Sequence, residues 1–382
     1  MRNQIKRLYR DERGISFIFV GMGFVAFLSA TTLAIDVGMF MTARSQAQNS
    51  ADAGALAGAT ALARDSFTNH SASGPAVSSA LTAAQDNQVI AHNVSVRPAD
   101  VEFLNNPTSG IQNRVKVTVY RTAARDNPIP TLMGRFFGVS QVDVLATATA
   151  EASPANAETC LKPFTIPDKF IDNHDPGGWF PGAIYDPTLG DVYIGPSDPV
   201  NYTGYNSDRD KGLEMTLKAN NTSKVSPSFY NPYDLPGSIG AADYSNNIAA
   251  CNPAKVHPGD TLPPENGNMV GPTAQGMVNL IAEDPNAYWD DTCKCVMGSQ
   301  YPYGRSPREI IIPVYDPLAF YNGQQNGKVI TLDFTNFVGF FIEPLTGAGE
   351  VKGRIIPISG LLDGGGGPAP AGSFPYVIRL VQ

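Results

Sequence analysis

Four cysteines, Cys160, Cys251, Cys293 and Cys295, carry the most versatile chemistry in this 382-residue chain. Four thiolates can hold a zinc ion, whereas four thiols in an oxidising compartment form two disulfides with three pairings open. None of the four histidines lies within three residues of a cysteine, so a mixed cysteine–histidine metal site is not expected and the four are assigned to disulfides. Cysteines separated by a single residue rarely bond each other. Cys160 and Cys251 are therefore each expected to pair with one member of the Cys293-Lys-Cys295 triplet.

Three other strings invite a chemical reading. Asn206 to Gly212, NSDRDKG, places oxygen-bearing side chains at alternate positions like the start of a calcium loop, but Lys211 stands at the turn glycine and Leu217 at the bidentate glutamate. His174 lies between Asp172 and Asp175 in DNHDPGGW, yet no G-x-S-x-G nucleophile string accompanies it, and Asp-Pro-Gly reads as a turn. Asp363 to Gly372, DGGGGPAPAG, lacks the Lys-Ser/Thr of a phosphate-cradling loop and precedes a strand, so it reads as a flexible connector. No catalytic residue, metal or cofactor is expected. The chain carries a net charge of −8 and no basic patch interleaved with aromatics, which argues against a nucleic-acid partner.

The elements that position these residues begin with an uncharged run, Gly14 to Ile35, long enough to cross a bilayer. Arg2, Lys6, Arg7, Arg10 and Arg13 precede it against Asp11 and Glu12 alone. The positive-inside rule then leaves the tail, residues 1–14, in the cytoplasm and exports the chain beyond the span, which covers residues 15–37. The run exceeds a signal-peptide core and no A-x-A site succeeds it, so the span is expected to be retained. Beyond it, Ala43, Ala47, Ala51, Ala55, Ala59 and Ala63 recur every four residues, with Gly54 and Gly58 as a second small pair. Alanine favours helix over strand, and a ridge of small side chains lets another helix approach closely. No proline occurs before Pro75, so one helix is expected from about Arg10 to about Phe67, its exported part being residues 38–66.

Residues 67–155 combine a short helix near Ala76 to Ile90 with three alternating strands, NVSVRPADVEFL, NRVKVTVYRTA and QVDVLATATAEA, the last after a short TLMGRFFG segment. Twenty-five of the thirty-one prolines and all the cysteines come after residue 155. Residues 156–382 are accordingly expected to form a loop-rich, mainly-β domain, with strands at REIIIPVYD, KVITLDF, FVGFFIE, RIIPIS and YVIRLVQ. The class is α+β: a transmembrane helix continuing into an Ala-rich helix, a small three-stranded α+β domain, and the β-rich domain.

The basic tail, the single span, Asp36 at its outer end and the run from Gln48 to Ala59 together resemble the TadG-like proteins of Tad (Flp) pilus-assembly systems. That family carries a helix segment close to Q-x-x-A-D-A-A-A-L-A-G-A. Here Gln48, Ala51, Asp52, Ala55, Leu56, Ala57, Gly58 and Ala59 match it, and Gly54 replaces an alanine. The D-x-S-x-S metal string of the von Willebrand A domains found in some members does not occur, and Gly14 is followed by Phe19 where processed pseudopilins carry Glu. The resemblance implies a non-enzymatic inner-membrane component with its bulk in the periplasm. Its partners would be other pilus-assembly proteins or pseudopilins, with a homo-oligomer left open. The alternatives are an envelope-anchored binding or adhesion module using the β-rich domain and, with less support, a membrane-tethered hydrolase.

Overall fold

In the computed structural model, residues 12–220, 222, 224–325, 332–345, 347, 349–365 and 367–381 are described. The basic tail residues 1–11, positions 328–331 of KVITLDF and Gly366 of the glycine run lie outside them. The fold is α+β and divides into two compact units: residues 1–58, 71–150 and 380–382, and residues 59–70 and 151–379.

The first unit is dominated by α1 (Glu12–Arg64), one uninterrupted helix of 53 residues. It is the one helix among the described residues long and apolar enough to cross a membrane. Hydroxyls within its apolar stretch donate to their own helix, Ser29 to the Val25 carbonyl at 2.8 Å, Thr31 to Phe27 at 2.9 Å and Thr32 to Leu28 at 2.8 Å. No hydroxyl in this set therefore needs a partner from lipid.

α2 (Pro75–Asp86) starts on Pro75, whose fixed φ and missing N–H suit a first helical turn, and it buries Ala76, Val77, Ala80 and Ala84. A small hairpin, β1 (Gln88–Val89) and β2 (His92–Asn93), precedes the sheet. β3 (Val101–Leu104) pairs antiparallel with β4 (Arg114–Arg121), in which Val115, Val117 and Val119 point inward at period two. A second hairpin, β5 (Ile129–Pro130) and β6 (Gln141–Val142), leads to β7 (Val144–Pro154) on the other side of β4.

The second unit holds β8 (Phe164–Pro167), α3 (Ser207–Asp210), β9 (Glu214–Ala219), β10 (Phe229–Pro232), α4 (Gly240–Ala249), β11 (Thr261–Leu262) and α5 (Val270–Glu283). The hairpin β12 (Tyr288–Asp290) and β13 (Cys295–Met297), then β14 (Glu309–Tyr315), α6 (Pro317–Gln325), β15 (Leu332–Ile342), β16 (Val351–Ile356), β17 (Ile358–Ser359) and β18 (Pro375–Val381) complete it. Its main sheet runs β11-β15-β14-β8-β10-β9-β16, and β16 pairs again with β15. The strand order thus closes on itself as a six-stranded barrel with β11 attached. Alternate strand residues, among them Phe164, Leu217, Ile312, Phe340 and Ile355, fill the core with Tyr244, Ile248, Met277 and Leu280 of α4 and α5. The far end of β7, from Glu151, lies beside β18, where the Ala155 N–H donates to the Pro375 carbonyl at 2.9 Å.

Three expectations need correction. KVITLDF and FVGFFIE are not two strands: Leu332 to Ile342 is continuous, with Asn336 fully buried and its amide donating to the Ala371 carbonyl. α4 and α5 are absent from the sequence reading; in α5, Gly271, Pro272 and Gly276 read as breaks. Pro272 stands in the first turn of α5, where it is tolerated. A Cβ on Gly276 would lie 2.6 Å from the Ile248 Cβ, so this glycine permits the α4–α5 contact.

The cysteine pairing also differs. Cys160 bonds Cys251, and Cys293 bonds Cys295, with Cα atoms 5.2 Å apart in the second pair. Lys294 at φ +50° turns the chain between β12 and β13, bringing the adjacent-but-one thiols onto one side. The first bridge joins the lead into β8 to the residue following the α4 C-cap, across 91 positions.

Candidate functional site

The residues assigned to a helix-packing motif lie on α1, and the structure divides them between a buried stripe and an exposed flank. Ala43, Ala51, Ala55 and Ala59 are fully buried, Ala47 nearly so, and Gly54 and Gly58 are buried with them. Gly54 and Gly58 abut α2 and β4: a Cβ on Gly54 would lie 3.0 Å from the Ala84 Cβ and 3.2 Å from Val117. One on Gly58 would lie 2.8 Å from Val115 and 3.1 Å from the Ala80 Cβ. At such separations only small residues fit, and dispersion between closely packed backbones takes the place of large side-chain burial. The helix expected at this seam is therefore the chain's own α2.

Polar contacts set the register. The buried Ser50 hydroxyl donates to the Ala84 carbonyl at 2.7 Å, satisfying an end-of-helix acceptor of α2. The Ile90 N–H donates to the Gln46 Oε1 at 2.8 Å. Gln48, on the exposed flank, donates from Nε2 to the Asp52 carboxylate at 2.8 Å and to the Thr147 carbonyl of β7 at 3.2 Å. Leu56 and Ala57 are partly exposed.

Asp36 is the most unusual member. Its carboxylate is 3% exposed and accepts three consecutive backbone N–H groups, from Leu132 at 2.9 Å, Met133 at 3.0 Å and Gly134 at 2.8 Å. Charge-assisted hydrogen bonds of this kind offset the cost of burying a carboxylate. They fasten the β5–β6 hairpin to α1 at a fixed height. The residue type and place of Asp36 were legible in the sequence; its partners, almost a hundred positions away and supplied by main chain, were not.

The other strings resolve into structural ties within the second unit. Asp172 accepts the N–H groups of His174 and Asp175 at 3.2 and 2.9 Å, as an Asx turn does. His174 Nδ1 lies 2.8 Å from Asp191, and that hydrogen bond holds the imidazole pKa above its usual range. Asp172, His174 and Asp191 could approach a cation together, but Asp191 also accepts from the Asn173 and Asp186 N–H groups, so the cluster is already engaged. In the calcium-like string, Asp210 is ion-paired with Lys169 at 2.6 Å and Asp208 accepts the Phe67 N–H at 3.2 Å. Asp363, at the head of the glycine run, is held down to about 2 by His257 first and Lys255 second.

Among the buried acids that escaped the sequence reading are Asp168 and Glu158. Asp168 accepts from Tyr193 at 3.0 Å, Tyr202 at 2.8 Å and the Tyr205 N–H at 3.0 Å, and burial still pushes it up to about 6. Glu158, whose Oε1 has no hydrogen-bond partner among the described residues, is pushed up to about 9 by burial. It lines a cleft of about 620 Å³ together with Arg64, Tyr303 and Tyr376. Nothing in the local sequence of either acid announces burial, because the walls around them come from distant segments.

Comparison with known proteins gives one finding. Residues 14–61 match the family described as putative Flp pilus-assembly TadE/G-like. No curated protein and no solved structure matches the chain.

Proposed function

We propose, with that match as the premise, that the chain is a non-enzymatic, single-pass component of a Tad/Flp-type pilus-assembly machinery. Its amino terminus is cytoplasmic and its two folded units are periplasmic, where they contact other assembly proteins or pseudopilins. The observation that carries this is the coincidence of three features on one helix: the matched residues 14–61, the lipid-compatible stretch, and the small-residue motif from Gln48 to Ala59. The motif's role is to weld the membrane helix to a folded unit, so partner contacts fall to exposed surfaces such as the Gln48–Asp52 flank.

The test is an in-frame deletion in the native host, complemented by the full chain and scored for filaments by electron microscopy. Filaments should vanish and return with the gene. Undiminished piliation in the deletion strain would sink the proposal.

A second reading, an envelope-anchored binding module, is favoured by the Glu158 cleft, which joins a neutral carboxyl to the Arg64 side chain and two tyrosines. Retention of a cell-wall or glycan fraction by the full chain, lost on Glu158→Lys substitution while piliation persists, would support it instead.

A further inference from the structure

We infer that the tip of the β5–β6 hairpin, Leu132 to Val139, is a second membrane contact that inserts into the outer leaflet beside α1. This rests on the reading of α1 as a membrane span.

The tip exposes Leu132, Phe136, Phe137 and Val139, with Phe136 and Phe137 about as exposed as Phe27 within the span. Large apolar side chains at that density on a short turn are costly in water, at roughly 25 cal/mol per Å² left wet. Their height is set by Asp36, which fixes Leu132, Met133 and Gly134 to the outer end of the uncharged run. From there the tip descends. Phe137 and Val139 line the same apolar groove of about 450 Å³ as Ser29, Ala30 and Leu33. Those residues precede Asp36 by three to seven positions, which at 1.5 Å of rise places them roughly 5–10 Å toward the bilayer centre. That is the depth at which interfacial aromatic side chains and amphipathic segments settle.

The tip's charge agrees with this. Arg135 is exposed and its guanidinium sits over the Phe136 ring at 5.5 Å. An arginine beside inserted rings can extend to phosphate while its stem stays in apolar surroundings. The occupant of the groove between hairpin and helix is thus an acyl chain of the outer leaflet, since the groove is continuous with the lipid-facing side chains of α1.

The experiment uses the full chain reconstituted alone into phosphatidylethanolamine–phosphatidylglycerol vesicles. Its native cysteines are all disulfide-bonded, so a nitrobenzoxadiazole label goes to one introduced thiol, in Phe137→Cys, Val139→Cys, Leu33→Cys or Ser109→Cys. Ser109 is an exposed loop residue before Val115, and Val115 meets Gly58, twenty-two positions beyond Asp36, or roughly 33 Å along the axis. Nitroxide lipids should quench the labels at 137 and 139 to within about twofold of the label at 33, and leave that at 109 untouched. Water-like, unquenched emission at both 137 and 139 with quenching at 33 would overturn the insertion while leaving the span intact. Blue-shifted emission at 137 and 139 without lipid quenching would also overturn it, and would give the groove to a second copy of the chain. Absence of quenching at 33 would remove the span itself, and the insertion with it.

Discussion

α1 places its apolar residues in opposite ways along its length. In the first half the large ones face outward, with Phe17 80% and Phe27 69% exposed, while in the second half the small ones are hidden, with Ala43, Ala51, Ala55 and Ala59 at 0%. A soluble helix would bury its phenylalanines and could spare its alanines. The inversion shows that the two halves have different surroundings. The first is long and apolar enough for a bilayer, which would reward apolar area, whereas α2 and β4 cover the second and reward close approach. Side-chain volume, more than hydrophobicity, separates the two.

The largest expected effect comes from charging the lipid half. Phe24→Asp should disfavour membrane insertion by about 3 kcal/mol and leave the unfolding temperature of detergent-solubilised protein unchanged. Flotation assays and calorimetry on the same preparation check both, and a large loss of thermal stability would mean that Phe24 packs on protein.

Gly58→Leu should do the reverse. With Val115 only 2.8 Å from the position of its Cβ, overpacking should cost about 1–3 kcal/mol with membrane partition intact. The control is Ser45→Leu on the exposed face of the same helix, expected within about 0.5 kcal/mol of wild type. Equal behaviour of the two leucine variants would demote the seam to a helix-forming filler.

Buried carboxylates sharpen the comparison between surroundings. The Asp36 carboxylate in the first unit accepts three N–H groups, whereas the Glu158 carboxyl in the second accepts from the Leu361 backbone and its Oε1 has no partner among the described residues. Burial raises the Glu158 pKa from 4.5 to about 9, so the folded state keeps a proton that the unfolded chain has released. Its stabilising contribution is therefore complete below about pH 4.5 and declines as pH rises toward 9, by at most about 1.4 kcal/mol per unit. Glu158→Gln should flatten that decline between pH 5 and 8, below the range where Lys162, lowered to about 8, adds an opposite slope. Denaturant titrations at three pH values measure it, and parallel curves for wild type and variant would show that the carboxyl reaches water.

The smallest effect is expected from Ala26→Leu, exposed in the apolar half and outside the hairpin groove, which should change neither insertion nor stability by more than about 0.5 kcal/mol. If it lowers thermal stability as Gly58→Leu does, the first half has a protein neighbour beyond the hairpin.

Legibility in the sequence tracks the range of the interactions. The unbroken α1 comes from the absence of proline before Pro75 and from its alanines, and β4 from the alternation of Val115, Val117 and Val119. Both depend on local pattern. The α2 cover over the seam, the amides around Asp36 and the closure of β16 onto both β9 and β15 depend on segments distant in sequence, such as Val351 opposite Leu217. The cysteine pairing failed for a related reason: Cys160 and Lys294 both take a left-handed conformation, and neither residue type gives a sign of it in the sequence. At the candidate site the motif residues were legible, but the identity of the surface covering them was not.

The donors to Asp36 are all main-chain N–H groups. A latch made this way places no demand on the side chains that surround it. Residues 132 and 133 can drift through almost any alphabet and still hold the carboxylate, with proline excluded because it has no hydrogen to give, whereas position 134 stays glycine because a Cβ there would lie 2.8 Å from the Val139 carbonyl oxygen. Selection on the hairpin's height and selection on the chemistry of its tip are thereby uncoupled, and the tip can be retuned to another bilayer without loosening its hold on the helix.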